Sequence, residues 1–168
     1  MKEAFTRKSL LILGRGIGQV MFQNNALSGL LMLIGIFLNS WQMGLLAVSG
    51  NIISTLTARI SGYDCDDIKN GLYGFNGTLV GIAVGVFMHL TVNSLILMAI
   101  ASCASTYIAR FFNMQRMLPG FTTLFILSVW MLLGLCSWLM PDMLLVSDTE
   151  TPASSSINYL QCFSMGIG

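Results

Sequence analysis

Six apolar segments, separated by short polar stretches, organise this chain. A helix needs about 20 predominantly apolar residues to cross a bilayer, and a repeated pattern of such segments predicts an all-α polytopic membrane protein. The first two segments are short for complete crossings. The segments cover roughly residues 9–22, 26–38, 42–60, 76–90, 93–112 and 119–139.

The composition supports the same class. The chain has 168 residues, of which 55% are hydrophobic and only 9% charged, whereas soluble domains carry about 25% charged residues. The net charge of +1, without a basic stripe, gives no reason to expect a nucleic-acid partner. The four cysteines match no zinc pattern, so Cys103 and Cys136, which lie in apolar runs, are expected to be buried, unpaired thiols.

Loop charges predict the orientation through the positive-inside rule. Basic residues lie before the first segment and around the loop after the fifth: Lys2, Arg7, Lys8, Arg110 and Arg116. The stretch 140–156 carries acidic residues and no Lys or Arg. The N-terminus and residues 110–118 are therefore expected inside, and 140–156 outside.

An inside start and an outside end require an odd number of crossings. Since six segments are available, we expect five spanning helices and one re-entrant half-helix. Segment 9–22 is the first candidate for the re-entrant piece, because it is short, interrupted by glycine and followed by Gln23-Asn24-Asn25. The segment that opens at Leu118-Pro119-Gly120 is the alternative.

A short internal match suggests a repeat. Gly16-Ile17-Gly18 recurs as Gly166-Ile167-Gly168 near the other end of the chain. With odd parity, a second copy would be inverted, as in many transporters. We therefore expect a first transmembrane repeat over 1–140, a polar inter-repeat linker over 141–156, and the start of a second repeat at 157–168, the chain stopping before the rest of it.

The stretch 71–81 interrupts the apolar pattern with four glycines and an amide, in the order Gly-Leu-Tyr-Gly-Phe-Asn-Gly-Thr-Leu-Val-Gly. Broken backbone at membrane depth is tolerated where it lines a cavity or packs against protein. The alternative interpretation is a glycine-rich turn that joins two helices.

Three motifs together resemble those of the urea transporter family. Residues 16–25 are similar to its GxGQVxFQNN segment, residues 71–81 to its most distinctive signature, and Leu118 to Thr122 to its LPxxT element. The motifs occur in the family's order, so the resemblance covers nearly the whole chain. One departure is that Thr122 is followed by Thr123-Leu124-Phe125-Ile126, without the usual proline.

The resemblance implies a fold of two inverted repeats, each with five spanning helices and one re-entrant helix. Urea crosses a narrow pore between the repeats, so this chain would supply half of a passive, channel-like conduit. It also implies a homotrimer in the full-length form, embedded in the cell membrane (the inner membrane for a bacterial protein), with urea and the lipid bilayer as partners and no cofactor.

Urea is planar and uncharged, and leaving water costs it several kcal/mol unless other groups replace its hydrogen bonds. A selective pathway therefore needs flat apolar walls and a line of polar groups. By the resemblance, the rings of Phe22 and Phe75 form a slot and Leu79 extends its wall. Polar groups come from the side chains of Gln19 and Thr122 and from the backbone carbonyl of Val20.

Each of these assignments has an alternative. The phenylalanines suit ordinary helix packing, and the Thr122 hydroxyl could bond its own helix. His89 at a helix end is expected to be interfacial rather than a proton relay, and the cluster of Asp64, Asp66 and Asp67 to be a solvated loop rather than a metal site. We find no enzyme motif. The competing functions are a non-conducting fragment or partial subunit that needs a complementary half, and a channel for ammonia or short amides.

Overall fold

The structure, a computed structural model, describes residues 2–115, 123–139, 142, 144 and 145. A 3-10 turn, Gln19–Met21, follows the first helix directly, and the only strand-like pairing in these ranges is a bridge between Met88 and Leu144. The helices of the described part are α1 Lys2–Gly18, α2 Ala26–Asn39, α3 Trp41–Ile60, α4 Cys65–Lys69, α5 Gly74–Phe87, α6 Val92–Gln115 and α7 Thr123–Leu139.

Each predicted apolar segment overlaps one of these helices, and α4 is the addition that the sequence did not predict. It lies in the charged connection after α3. The Asp64 side chain begins α4, because its Oδ1 accepts from the backbone N–H of Asp66 at 2.7 Å and of Asp67 at 3.4 Å. A carboxylate that accepts from these first free N–H groups is a favourable helix cap.

Helix length and composition bear on the number of crossings. Both α3 and α6 are long and apolar enough to cross a membrane, and the pair formed by Lys8–Met21 and Ala26–Asn39 would do so together but is bent by 75°. With 14 residues, α5 is about 21 Å long, shorter than the hydrocarbon core. The fold is thus that of an all-α membrane protein, and the count of five spans plus one re-entrant piece stays a prediction. The proposed linker and second-repeat start lie almost entirely outside the described residues.

Close backbone packing joins α3 to α5. A Cβ atom on Gly50 would collide with the Gly77 carbonyl, and one on Gly77 would collide with the Gly50 carbonyl. One turn further along, a Cβ on Gly81 would meet the Leu46 carbonyl. The two antiparallel backbones therefore touch, which is the way small residues pack helices in membranes.

Small hydroxyl side chains join α3 to α6. The Ser54 hydroxyl donates to the Ser102 carbonyl at 2.9 Å, and Thr106 donates to the same carbonyl at 3.0 Å. All three side chains are fully buried. The Ser54 and Thr106 hydroxyls each have an acceptor, as buried polar groups usually do, whereas the buried Ser102 hydroxyl has no hydrogen-bond partner among the described residues.

The outer faces are strongly apolar. Leu38 on α2 is 84% exposed and Trp138 on α7 is 82% exposed. Monomeric soluble proteins rarely expose large contiguous apolar patches, so such faces suit contact with lipid or with other protein. This agrees with the membrane class predicted from composition.

We expect Gly50→Ala to lower the free energy of unfolding by about 1–3 kcal/mol, because the new methyl group meets backbone that cannot rotate away. Thermal unfolding in detergent measures this. Gly35→Ala on α2 is the control, since nothing lies within 4 Å of its Cβ position. It should be neutral or slightly stabilising through helix propensity, and an equal loss in both variants would contradict the packing argument.

Candidate functional site

The first motif breaks the path of the chain between α1 and α2. After the 3-10 turn, Phe22 adopts φ 55°, in the left-handed region, and it is the only non-glycine residue of the described part with positive φ. The Asn25 side chain then caps the N-terminus of α2 by accepting a hydrogen bond from the Leu27 N–H at 2.9 Å. This sharp break produces the 75° bend between the two helices.

Carbonyl groups are left over at this break. The N–H of Phe22 bonds to the Gln19 carbonyl and the N–H of Gln23 reaches back to the Gly18 carbonyl. Among the described residues, no backbone N–H bonds to the Val20 carbonyl. A free carbonyl at a helix end needs a partner from a side chain, water or a ligand.

The glycine-rich signature forms a turn that packs against this break. Gly71 has φ 76°, and a Cβ on it would collide with the backbone N–H of Gly16. The glycine-rich stretch thus begins with a turn that joins α4 to α5, as the alternative interpretation had it, and the backbone of this turn packs against protein, as the first interpretation had it; residues 74–81 belong to the continuous helix α5. The following residues are buried, with Tyr73 2% exposed and Phe75 7% exposed.

Three side chains tie the two motifs together. Gln19 Nε2 donates to the Asn70 carbonyl at 3.0 Å, and Asn24 Nδ2 donates to Asn70 Oδ1 at 2.9 Å. Arg15 Nη1 donates to the Lys69 carbonyl at 3.2 Å. These bonds satisfy carbonyls at the end of α4. Side chains around the break after α1 thus provide hydrogen-bond partners for the turn after α4.

The predicted site residues fall into different environments. Gln19, Val20 and Leu79 are half-buried, whereas Phe22 is 63% exposed and Phe75 is almost fully enclosed. The structure thus brings Gln19 and Val20 against the turn that precedes Phe75, but the two phenylalanines are not equivalent walls. Thr122 lies outside the described residues.

Sequence reasoning missed several residues of this region. Asn51, fully buried in the middle of α3, bonds to both α1 and α5. Arg15 and Asn70 hold the break against α4. Asn51 and Arg15 were detectable as polar side chains inside apolar segments, where such residues are expensive unless they are paired.

Besides Arg15, the charged groups of this region include an exposed ion pair on the surface of α4. Lys69 Nζ lies 2.8 Å from Asp66 Oδ1, and both side chains are largely exposed. The hydrogen bond from Lys69, with its positive charge, lowers the pKa of Asp66, and the same contact raises the pKa of Lys69. Within the described ranges, no cluster of three His, Cys, Asp or Glu side chains could hold a metal ion.

Comparison with known proteins gives consistent matches. The sequence model of the urea transporter family matches residues 10–163. Urea transporter 1 of Mus musculus is 43% identical over 75 residues, which is 45% of this chain and 20% of the mouse protein. The proteins of the same name from Rattus norvegicus and Ovis aries are 44% and 41% identical over 73 residues, 44% of this chain and 19% of theirs. The matched part is thus about a fifth of each relative.

We expect Phe22→Gly to change the free energy of unfolding by less than about 1 kcal/mol, because glycine removes the cost of positive φ while the lost ring is mostly exposed. Phe111→Gly is the matched control, since Phe111 is 60% exposed but helical. It should be the more destabilising change, because glycine costs a helix about 0.5 kcal/mol relative to phenylalanine and the edge-to-face contact with Phe112 is also lost. Unfolding in detergent distinguishes them, and a larger loss for Phe22→Gly would assign that ring to packing.

Proposed function

Because this chain belongs to the urea transporter family, we propose that it lines one side of a passive, channel-like pathway for urea across the membrane. The family transports its solute rather than transforming it, so the chain is not an enzyme. The observation that carries the proposal is the broken backbone between α1 and α2, which lies against the start of α5, with the Val20 carbonyl unpaired by any backbone N–H of the described residues.

The chemistry of the break suits a neutral diamide. Urea offers four N–H donors and one carbonyl acceptor, so it needs mostly acceptors along its path. The Val20 carbonyl provides one, and Gln19 provides another through Oε1, because its Nε2 is engaged with Asn70. Each replaces a bond to water that urea loses on entry.

The aromatic residues supply shape rather than strong bonds. In this proposal Phe75, enclosed by its own chain, forms a fixed wall with Leu79, and Phe22 presents its exposed ring towards the passage. N–H contacts to ring faces are weak, so the rings act mainly by excluding bulkier solutes. Thr122 is proposed to offer its hydroxyl near the narrowest point.

A passage needs walls on all sides, and we propose that this chain provides half of them. The exposed ring of Phe22 supports this, because it leaves an open apolar face beside the break. The complementary half would come from an inverted second repeat. We also propose that the complete protein is a homotrimer in the cell membrane, for which the exposed apolar faces of α2 and α7 supply lipid and protein contacts.

Flux measurements on proteoliposomes test the half-pathway. We expect the 168-residue chain alone to pass little urea beyond the lipid background, and a tandem fusion of two copies, inverted by the odd number of crossings, to pass more. Robust saturable flux from the single chain would mean that separate copies pair. A folded fusion without urea flux would favour the non-conducting alternative, and equal flux of ammonia and urea would favour a less selective channel.

Phe75→Leu tests the proposed wall with less disruption than truncation to alanine, which would cost about 3–5 kcal/mol at an enclosed phenylalanine. We expect the discrimination of urea from the bulkier N-methylurea to fall, because leucine lacks the flat ring face. Phe87→Leu at the other end of α5 is the control, since Phe87 is 46% exposed and outside the site. Unchanged discrimination in Phe75→Leu would assign Phe75 to packing.

A further inference from the structure

A single carboxamide lies where α1, α3 and α5 meet. Asn51 is fully buried in the middle of α3. Its Nδ2 donates to the Leu13 carbonyl of α1 at 3.1 Å and to Thr78 Oγ1 of α5 at 3.0 Å. Its Oδ1 accepts from the Thr55 hydroxyl at 3.2 Å. One side chain therefore bonds to all three helices.

The direction of these bonds is fixed by chemistry. The Leu13 carbonyl is only an acceptor, so the amide nitrogen must face it. The Thr78 hydroxyl donates a hydrogen bond to the Gly74 carbonyl at 3.0 Å, so its oxygen accepts from Asn51. With the amide turned over, Oδ1 would face the Leu13 carbonyl and two acceptors would be opposed. The network has one satisfied arrangement.

The Asn51 carboxamide leaves no room for a side chain at two motif positions, and both positions are glycine. A Cβ on Gly16 would lie 2.8 Å from Asn51 Nδ2, and one on Gly74 would lie 2.5 Å from Asn51 Oδ1. Gly16 begins the motif that contains Gln19 and Val20, and Gly74 directly precedes Phe75. Asn51 thus occupies the space between the two motifs.

We propose that Asn51 is a positioning residue, which sets the distance between the Gln19–Val20 turn and the wall at Phe75 without touching the solute itself. The role in selectivity rests on the proposed urea pathway, whereas the role in geometry does not. A displacement of about 1 Å in a site is enough to change its action strongly. A narrow pathway for a neutral solute therefore depends on this network.

Thr78→Val is the sharpest test, because it removes the hydroxyl while preserving the branched shape. We expect Thr78→Ser, which keeps the hydroxyl, to retain the wild-type behaviour. Thr57→Val is the matched control on α3, since the Thr57 hydroxyl bonds to the Ile53 carbonyl of its own helix and to Cys103, away from Asn51.

The first readout is independent of transport. Spin labels carried by non-natural amino acids at Met21 in the turn and at Phe87 at the end of α5 report the distance between the two elements. We expect Thr78→Val to shift or broaden the distance distribution, and Thr78→Ser and Thr57→Val to leave it unchanged. An unchanged distribution in a folded Thr78→Val protein, or an equal change in Thr57→Val, would overturn the positioning role.

The second readout is the flux ratio of urea to N-methylurea in the conducting form of the protein. Thr78→Val should change the ratio by about threefold or more, and the change should shrink when Gln19→Ala is already present, since the network acts through that turn. An effect that is fully additive with Gln19→Ala would overturn the link to the pathway. If the folded tandem fusion of two wild-type copies conducts no urea, the proposed function fails, and the distance measurement still decides the positioning role.

Discussion

The contact of backbone with backbone between helices is the constraint on which the rest of this structure depends. In a bilayer, burying apolar side chains between helices gains little, because lipid is equally apolar. Close packing and hydrogen bonds must therefore hold helices together, and both improve as backbones approach. Gly50 and Gly77 allow α3 and α5 to touch, and Gly16 and Gly71 do the same between the first motif and the signature. The apolar side chains of α2 and α7 are left to face outwards.

The helices α3 and α5 make this contact without a break, but the described fold also contains helix breaks, which leave backbone groups without intrahelical partners. The structure compensates for one break with the polar groups of another. Gln19 and Arg15, at the end of α1, donate to the carbonyls of Asn70 and Lys69 after α4. Because two interruptions far apart in sequence meet in space, donors at the first satisfy carbonyls at the second, as broken backbone in a membrane protein requires. Within the described residues, the Val20 carbonyl accepts no backbone hydrogen bond, which makes it the candidate acceptor of this region.

The sequence predicted the parts of the fold that local physics determines. Apolar segments located six of the described helices, and the glycines of 71–81 indicated a packed interruption, which Gly71 confirms. Three features escaped prediction because they depend on distant partners. The role of Asn51 depends on its hydrogen bonds to Leu13 and Thr78, which are distant in sequence. The left-handed conformation of Phe22 depends on how α2 packs back against α1. The helix α4 forms because Asp64 caps a segment too short to show a period. The roles of the site residues came from family motifs, and their geometry did not follow from the motifs alone.

A pathway for a neutral solute places a particular demand on such a scaffold. Charge cannot steer or select the solute, so discrimination must come from the spacing of walls and acceptors. The spacing of walls and acceptors stays constant only if the elements that carry them are held in place, and loops are usually the most mobile parts of a protein. Here the candidate acceptors lie at a helix break, yet the break is held by glycine contacts and by side-chain bonds from Gln19, Arg15 and Asn24. The positive charge of Arg15 is directed to the carbonyl end of α4, where the helix dipole favours a cation. The polar backbone at the break is thus exposed but held in fixed positions, and the charge of Arg15 is bound to protein. Selection of urea by shape and hydrogen bonding would require both conditions.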